Sequence, residues 1–149
     1  MSIARVTAIA GALLVCTALT PASAAVFNRI ATFHVSDNRP SGEGSDTETV
    51  SEIIAATEDG MTLIYTDSPG ERLGLVDITD PAAPAAGGTI DLGGEPTSVV
   101  VAGGKALVGV VTSESYKEPS GFLGIVDIAS KTLEAKCDLG GQPDSLAKS

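Results

Sequence analysis

The chain has 149 residues, of which 43% are hydrophobic and 3% aromatic, and its formal net charge at pH 7 is −10. This length suits one ordinary domain, since domains commonly run from about 50 to 200 residues. The acidic balance argues against nucleic-acid binding, because contacts to phosphates need clustered lysine and arginine side chains. Solubility is the simplest role for such a charge, and cation binding is the alternative.

Residues 1–24 have the pattern of a secretory signal peptide. Arg5 precedes the uncharged apolar stretch 6–19, and Ala22-Ser23-Ala24 is a small-residue cleavage site. The stretch is shorter than the roughly 20 residues that a membrane-spanning helix needs. We therefore expect a secreted or periplasmic protein with no membrane span, whose mature domain covers residues 25–149.

The first element expected after the signal peptide is a strand over Val26–Val35, followed by a loop from Ser36 to Glu48 that is rich in Ser, Gly and Asp. Because Ca²⁺ takes carboxylate oxygens, the acidic side chains of this loop are candidate calcium ligands. They are Asp37, Glu43, Asp46 and Glu48. Their spacing matches no EF-hand, so a plain solvated loop is the alternative interpretation.

Two units of four strands are predicted next, each with short turns between apolar, β-branched runs. The first unit has strands over Ser51–Thr57, Met61–Thr66, Arg72–Ile78 and Thr89–Leu92, with a loop over residues 79–88. The second has strands over Thr97–Ala102, Lys105–Val111, Phe122–Ile128 and Thr132–Leu139. The turns Glu58-Asp59-Gly60 and Gly103-Gly104 supply glycine for the positive φ of a tight hairpin.

The two units are copies of one another. Ile90–Val99 returns as Cys137–Leu146, 47 positions later, and Leu73–Ile78 returns as Leu123–Ile128, 50 positions later. A period of this size with four strands per copy is typical of a β-propeller blade. The sequence thus predicts an all-β fold, a partial β-propeller with two four-stranded antiparallel blades and an N-terminal strand.

A third copy begins at Pro143, whereas propeller rings have about 4 to 8 blades and about three or more repeats are usually needed for stability. We therefore expect the chain to be the N-terminal fragment of a longer ring, with assembly of several short chains into one ring as the alternative. The N-terminal strand is expected to be a clasp for the last blade. The uncovered face of the second unit is expected to carry Val108, Val110, Ile125 and Val126.

Turn residues that recur in both copies of the repeat favour structural roles. Asp77 and Asp127 end equivalent strands, where aspartate accepts hydrogen bonds from nearby backbone amides. Glu95 and Gln142 lie between the Gly-Gly and Pro of equivalent linkers, so ligand contact is the less favoured interpretation for them. No catalytic, cofactor-binding or phosphate-binding motif occurs, so no catalytic residue is predicted.

Cysteine use fits the same interpretation. Cys16 belongs to the signal peptide, which leaves Cys137 as the single cysteine of the mature chain and excludes an internal disulfide. Cys137 replaces Ile90 in the repeat, so we expect an inert apolar strand residue. A nucleophilic cysteine would need a base, and His34 is the single histidine of the sequence.

The segments Leu-Gly-Leu-Val-Asp-Ile-Thr-Asp-Pro (residues 73–81) and Gly-Gly-Glu-Pro-Thr-Ser-Val (residues 93–99) resemble the LVIVD and YVTN-type repeats of exported bacterial propellers. Residues 25–145 resemble the N-terminal propeller of large secreted proteins of the choice-of-anchor I type. Related chains are alkaline phosphatase-like or carry a phytase-like esterase region. The resemblance implies a propeller, and no catalytic motif of those enzymes occurs here.

Three functional hypotheses follow. The first is an exported, non-catalytic repeat segment that acts as a binding scaffold for a protein or glycan and for the remaining blades of its ring. The second is the N-terminal propeller of a secreted, calcium-dependent phosphoesterase, so the parent protein is a possible hydrolase. The third is a truncated product with no function of its own.

Overall fold

The computed structural model describes residues 27–149, which form two four-stranded antiparallel sheets that pack face to face. Sheet 1 consists of β1 (Ile54–Ala56), β2 (Thr62–Asp67), β3 (Arg72–Asp77) and β4 (Ala85–Asp91), in that order. Sheet 2 consists of β5 (Glu95–Ala102), β6 (Lys105–Val111), β7 (Gly121–Asp127) and β8 (Thr132–Asp138), in that order. The all-β prediction is confirmed. The predicted signal peptide lies outside the described residues.

Helix is nearly absent from the described part of the chain. A single 3₁₀ turn, Val35–Asn38, precedes the sheets. Within residues 27–149, no helix has the length and apolar character needed to cross a membrane.

The hairpin turns lie where glycine predicts them. β5 and β6 connect through Gly103 and Gly104, whose φ angles are 57° and 75°. Glycine adopts these left-handed angles without a steric penalty, because it has no Cβ. Gly60, with a φ of 72°, plays the same part before β2. The predicted bounds of β6 agree with the structure, and those of β2, β3, β7 and β8 differ by no more than one residue at each end.

The loop predicted over residues 79–88 is wrong in its second half, because β4 begins at Ala85. The β3–β4 ladder shifts register between Leu75 and Val76, where Gly87 is an extra residue in β4. An extra strand residue forms a β-bulge, and glycine tolerates the local geometry. The strand therefore continues through a glycine pair that the sequence analysis took for its boundary.

The predicted N-terminal strand over Val26–Val35 is also wrong in its described part. Residues 27–34 join no strand ladder among the described residues, and the 3₁₀ turn follows directly. The Asn38 side chain ties this segment to sheet 1 instead: its Nδ2 donates to the carbonyl oxygens of Leu75 at 2.9 Å and Gly88 at 3.0 Å. We call residues 27–50 the N-terminal arm, because they lie across sheet 1 without joining it.

The hydrophobic core lies between the two sheets. Sheet 1 contributes Ile64, Leu73, Leu75, Ile90 and Leu92, and sheet 2 contributes Val99, Val101, Ala106, Val108, Val110, Phe122 and Val126. Strand β5, the first strand of sheet 2, packs on β1, β2 and β3, and β8, the last strand of sheet 2, approaches β4, the last strand of sheet 1. The strand order therefore runs in the same direction across both sheets. Full burial of a Val, Leu or Phe side chain contributes about 1.5–3 kcal/mol, so this layer holds the sheets together.

The expected uncovered face of the second unit is corrected by this core. Val108, Val110 and Val126 are fully buried against sheet 1, whereas Ile125 lies on the opposite face and is half-buried. The side chains of successive strand residues point to opposite faces of a sheet, so Ile125 and Val126 cannot lie on the same face. Periodicity separates the two faces of a strand, but it does not tell which of them meets the neighbouring sheet.

Candidate functional site

The two sheets have equivalent faces, which the strand registers define. We call the face of sheet 1 that packs on sheet 2 the forward face of sheet 1. The forward face of sheet 2 is the one formed by the equivalent residues, and it points away from sheet 1. The opposite face of each sheet is its back face, so the back face of sheet 2 packs on the forward face of sheet 1. Tyr65 lies opposite Gly74 on β3, as Val108 lies opposite Gly124 on β7. The forward-face residues Ile64, Leu73, Leu75, Ile90 and Leu92 of sheet 1 thus correspond to Leu107, Leu123, Ile125, Cys137 and Leu139 of sheet 2.

The two forward faces differ in how well they are covered. The five apolar residues of sheet 1 are all buried under sheet 2. On sheet 2 the equivalent Leu and Ile side chains of β6 and β7 are half-buried, while Cys137 is exposed and Leu139 is 49% exposed. The forward face of sheet 2 is therefore an apolar surface in partial contact with solvent.

The C-terminal segment, residues 142–149, covers part of this surface along β5 and β6. Pro143 lies over Gly109, where a Cβ atom would meet the proline ring at 3.2 Å. Thr97 Oγ1 donates to the carbonyl oxygen of Pro143 at 2.9 Å, and the Leu146 amide donates to Ser98 Oγ at 3.1 Å. Pro143 also lies close to Gly121 at the start of β7, and the part of the forward face that stays exposed is that of Cys137 and Leu139.

A cavity of about 590 Å³ lies at one end of sheet 2. Its lining includes both linker residues singled out from the sequence, Glu95 and Gln142, with Thr97, Tyr116 and Asp144. The lining contains carboxylates, hydroxyls and an amide, and neither histidine nor cysteine. This arrangement offers hydrogen bonds to a polar ligand.

Asp77 and Asp127 serve as strand-end caps, as predicted. Asp77 Oδ1 accepts from the Thr79 amide at 2.8 Å, and Asp127 Oδ1 accepts from the Ser130 amide at 2.7 Å. Lys105 Nζ also donates to Asp127 at 2.8 Å. This ammonium group, followed by the bonds from Ser130, holds the pKa of Asp127 far below its usual range. The equivalent bonds from Thr79 lower the pKa of Asp77.

The four acidic residues of the Ser36–Glu48 loop do not form one ligand set. Glu43 pairs with Arg72, and Asp46 accepts from its neighbour Ser45 at 3.3 Å. Among residues 27–149, no group of three or more His, Cys, Asp or Glu side chains is placed to hold a metal ion. The geometry therefore gives the proposed calcium ligands Asp37, Glu43, Asp46 and Glu48 separate surroundings.

A buried charge cluster joins the N-terminal arm to the back face of sheet 1. Arg72, 5% exposed, donates from Nε to Asp67 at 2.8 Å and pairs through Nη1 with Glu43 of the arm. Thr49 Oγ1 donates to Asp67 at 2.7 Å, and the Val50 amide donates to the same carboxylate at 2.9 Å. We call Glu43, Thr49, Asp67 and Arg72 the polar latch. Its hydrogen bonds, that of Glu43 above all, raise the pKa of Arg72 against the opposing effect of burial.

Beside the latch, the arm and sheet 1 enclose an apolar groove of about 310 Å³. It is lined mainly by Ile30 and Phe33 of the arm and by Ile54, Leu63 and Val76 of the sheet. Tyr65 lies at its edge, buried, with its hydroxyl accepting from Asn38 Nδ2 at 3.2 Å. Burial raises the pKa of this tyrosine. The back face of sheet 1 is thus polar at the latch and apolar beside it.

Sequence reasoning did not find Asn38, Asp67 or Arg72. A signal was present in the repeat, since Arg72 occupies the position of Phe122 and Asp67 that of Val110. A charged pair at positions that are apolar in the other copy indicates a special contact. Cys137, in contrast, lies in its strand as predicted, but it is exposed where its equivalent Ile90 is buried.

Comparison with known proteins gives a likeness in fold. No protein-family model matches the chain, and no curated protein matches its sequence. A solved structure with a similar fold is the hydrazine synthase of Kuenenia stuttgartiensis, with a TM-score of 0.52 and 20% sequence identity. The match covers 72% of this chain and 28% of the solved chain, so this protein spans less than a third of its neighbour's length.

Proposed function

We propose that the chain is an exported, non-catalytic repeat module, contributing two blades of a β-propeller, whose forward face on sheet 2 binds a further β-sheet. The observation that carries the proposal is the equivalence of the two forward faces. One is fully buried by a neighbouring sheet, and the other has the same pattern of apolar residues without such a neighbour. The module therefore acts as a scaffold for assembly.

The chemistry of the forward face favours a sheet as its occupant. Its Leu and Ile side chains stand on adjacent strands at the spacing that fits the interdigitated side chains of a second sheet, about 10 Å away. The C-terminal segment already covers part of this face. Its Gln142-Pro143 is equivalent in the repeat to Glu95-Pro96, with which β5 begins. The segment therefore starts on sheet 2 at the position where β5 starts on sheet 1, and β5 goes on to pack against that sheet.

The gain expected from such docking is substantial. Burial of apolar surface contributes about 25 cal/mol per Å², so completing the burial of several partly exposed side chains yields a few kcal/mol. A folded domain has a total stability of about 5–15 kcal/mol. A third sheet would therefore stabilise sheet 2 markedly, whereas a glycan or an unrelated protein would contact the face less completely.

Cys137 makes the proposal testable, because its thiol lies exposed on the forward face. The probe is a third copy of the chain's own repeat: residues 142–149 are replaced by residues 95–141, in phase. We expect slower maleimide labelling of Cys137 in the folded protein and a higher melting temperature than in the original chain. The cysteine of the appended copy is changed to serine, so that Cys137 alone is labelled.

A matched control is the same extended chain with valine-to-glutamate changes in the appended copy at the positions equivalent to Val108 and Val110. These residues form the back face that packs on the preceding sheet. The control should label as fast as the original chain. Equal labelling and equal melting temperatures for the extended chain and its control would contradict the proposal that the forward face binds a sheet.

Export is the second part of the proposal, supported by the signal-peptide pattern of residues 1–24. Expression of the full chain in a secreting bacterial host, followed by mass spectrometry of the exported protein, should give Ala25 or a neighbouring residue as the N-terminus. Retention of Met1 in the protein from the exported fraction would contradict cleavage. A chain with Leu13→Arg and Leu14→Arg, which interrupt the apolar stretch, is the control and should remain unprocessed.

A further inference from the structure

The back faces of the two sheets differ at the positions where a neighbouring sheet would pack. On sheet 2 the back face presents Val108, Val110 and Phe122, which are buried against sheet 1. The strand registers place Tyr65, Asp67 and Arg72 at the equivalent positions of sheet 1. One back face is therefore apolar, while the other carries an ion pair and a phenol.

This difference bears on how copies of the chain can associate. The forward face of sheet 2 has the same apolar pattern as the forward face of sheet 1. Within each molecule, the forward face of sheet 1 is covered by the back face of sheet 2. If sheet 1 also had an apolar back face, the forward face of one copy could receive the back face of the next. Such a head-to-tail contact adds one copy after another, and it gives a ring where the rotation between copies closes and a filament where it does not.

The polar latch occupies the back face that this contact would use. Asp67 is 1% exposed and accepts from Thr49, Val50 and Arg72, and Arg72 in turn pairs with Glu43. Three of these partners belong to the N-terminal arm. A second copy could reach the sheet only by displacing the arm, which would bury the Asp67–Arg72 pair against leucine and isoleucine side chains without its bonds to Glu43, Thr49 and Val50. Burial of an ion pair that has lost its other hydrogen bonds is destabilising.

We propose that the N-terminal arm and the polar latch cap the back face of sheet 1, so that the module accepts a neighbouring sheet on one side and copies of it cannot polymerise head to tail. The occupant of the capped face is the chain's own segment 38–50. A sheet that closes a ring against sheet 1 must then bind the arm and its apolar groove, since the bare back face is not available. The inference rests on the proposed docking role of the forward face.

The test replaces charged residues on the back face of sheet 1 with the apolar residues at the equivalent positions of sheet 2. The double variant Asp67→Val, Arg72→Phe removes both charges together, so that neither is left alone. Sedimentation velocity over a concentration series should find no species larger than a dimer for the original mature chain, and a ladder of larger oligomers for the double variant. Adding Ile125→Glu on the forward face should abolish the ladder. Lys105→Met, which breaks a partly exposed ion pair of sheet 2, is the control and should resemble the original chain.

The outcomes separate this inference from the proposed function. A folded double variant with the oligomeric state of the original chain overturns the capping role, even if a third repeat copy still protects Cys137. A ladder that persists with Ile125→Glu, or a ladder formed by the original chain, also overturns it. Failure of the third copy to protect Cys137 instead overturns the docking role of the forward face.

A second variant decides the matter if the double variant does not fold, as judged by circular dichroism. Glu43→Gln leaves the Asp67–Arg72 pair intact and weakens the hold on the arm. Faster amide hydrogen exchange in residues 38–50, roughly tenfold, without new oligomers supports the cap, because the arm is held less firmly while the charged pair still faces a second copy. Unchanged exchange overturns the role of the latch in holding the arm, and new oligomers overturn the role of the charged pair.

Discussion

Sheets 1 and 2 are built from one repeat, yet their surroundings differ on both sides. The forward face is buried in sheet 1 and partly open in sheet 2, while the back face is polar in sheet 1 and apolar in sheet 2. The strand order is nevertheless the same, and the last ladder of each sheet has an equivalent register shift. The first ladders differ, since β5–β6 has a shift between Pro96 and Ser98 that β1–β2 lacks. The backbone of the repeat therefore tolerates very different side chains at equivalent positions. Whether those side chains are apolar or charged follows from what each face packs against.

The largest contrast is expected between the buried ion pair of sheet 1 and the partly exposed ion pair of sheet 2. Arg72→Met should lower the free energy of unfolding by about 3–5 kcal/mol, because it leaves the buried Asp67 carboxylate without its cation. Lys105→Met should lower it by about 1 kcal/mol or less, since both side chains of that pair remain in partial contact with solvent. Urea denaturation of both variants measures the difference. Equal losses would contradict a special role for the latch.

The forward faces offer a matched pair of leucines. Leu73→Ala should cost about 2–5 kcal/mol, because the side chain is fully buried between the sheets. Leu123→Ala, the equivalent change on sheet 2, should cost less, roughly 1 kcal/mol, because that side chain is already partly exposed to water. In the chain extended by a third repeat, the cost of Leu123→Ala should rise toward that of Leu73→Ala. A cost that stays the same there would argue against docking on this face.

Two equivalent glycines distinguish the back faces. The Tyr65 ring lies directly against Gly74, so a methyl group there would overlap the ring. At Gly124 a Cβ would meet Leu133 at 3.2 Å, and this leucine can shift. Gly74→Ala should therefore destabilise by about 1–3 kcal/mol and Gly124→Ala by less, as measured by thermal unfolding. Combining Gly74→Ala with Tyr65→Val, the residue of sheet 2, should recover part of the loss.

The smallest contrast in stability is between the equivalent residues Asp127 and Asp77, and it depends on pH. Asp127 is bonded by Lys105, whereas the equivalent Asp77 lies opposite Thr62, and the pKa of Asp127 is held far below its ordinary value of 3.8. A carboxylate with a depressed folded-state pKa stabilises the fold above its unfolded pKa, and this contribution is lost as the pH falls toward the folded value. Asp127→Asn should thus lower the melting temperature slightly at pH 7, and the difference should shrink below about pH 4. A difference that grows at low pH would contradict this sign.

No catalytic turnover is expected from the module. The purified mature chain should not hydrolyse p-nitrophenyl phosphate with or without calcium, because its acidic loop residues have separate surroundings. Hydrolysis that a chelator abolishes and that Glu43→Gln weakens would instead favour the phosphoesterase hypothesis.

The elements of both sheets could be predicted because the repeat, the alternation of apolar residues and the turn glycines agree on them. The failures have a common cause in contacts between distant residues. Residues 27–34 have strand-like composition but no ladder partner among the described residues, and β4 starts early because Gly87 allows a bulge. The polar latch joins Glu43 to Arg72 across 29 positions, so neither local propensity nor spacing indicates it.

The basic side chains are placed in a way that alters how the molecule meets others of its kind. Six of them donate to carbonyl or carboxylate oxygens within the described residues: Arg39, Arg72, Lys105, Lys131, Lys136 and Lys148. Lys131 and Lys136 reach from sheet 2 to backbone carbonyls of sheet 1. These basic groups are thus held at contacts within the molecule, and because the formal net charge of the sequence is −10, an approaching copy meets a net negative field. At low ionic strength this field repels the copy over about 30 Å, whereas at physiological salt it reaches only about 8 Å. Added salt should therefore strengthen any association through the forward face, opposite to the usual response of a contact built on ion pairs.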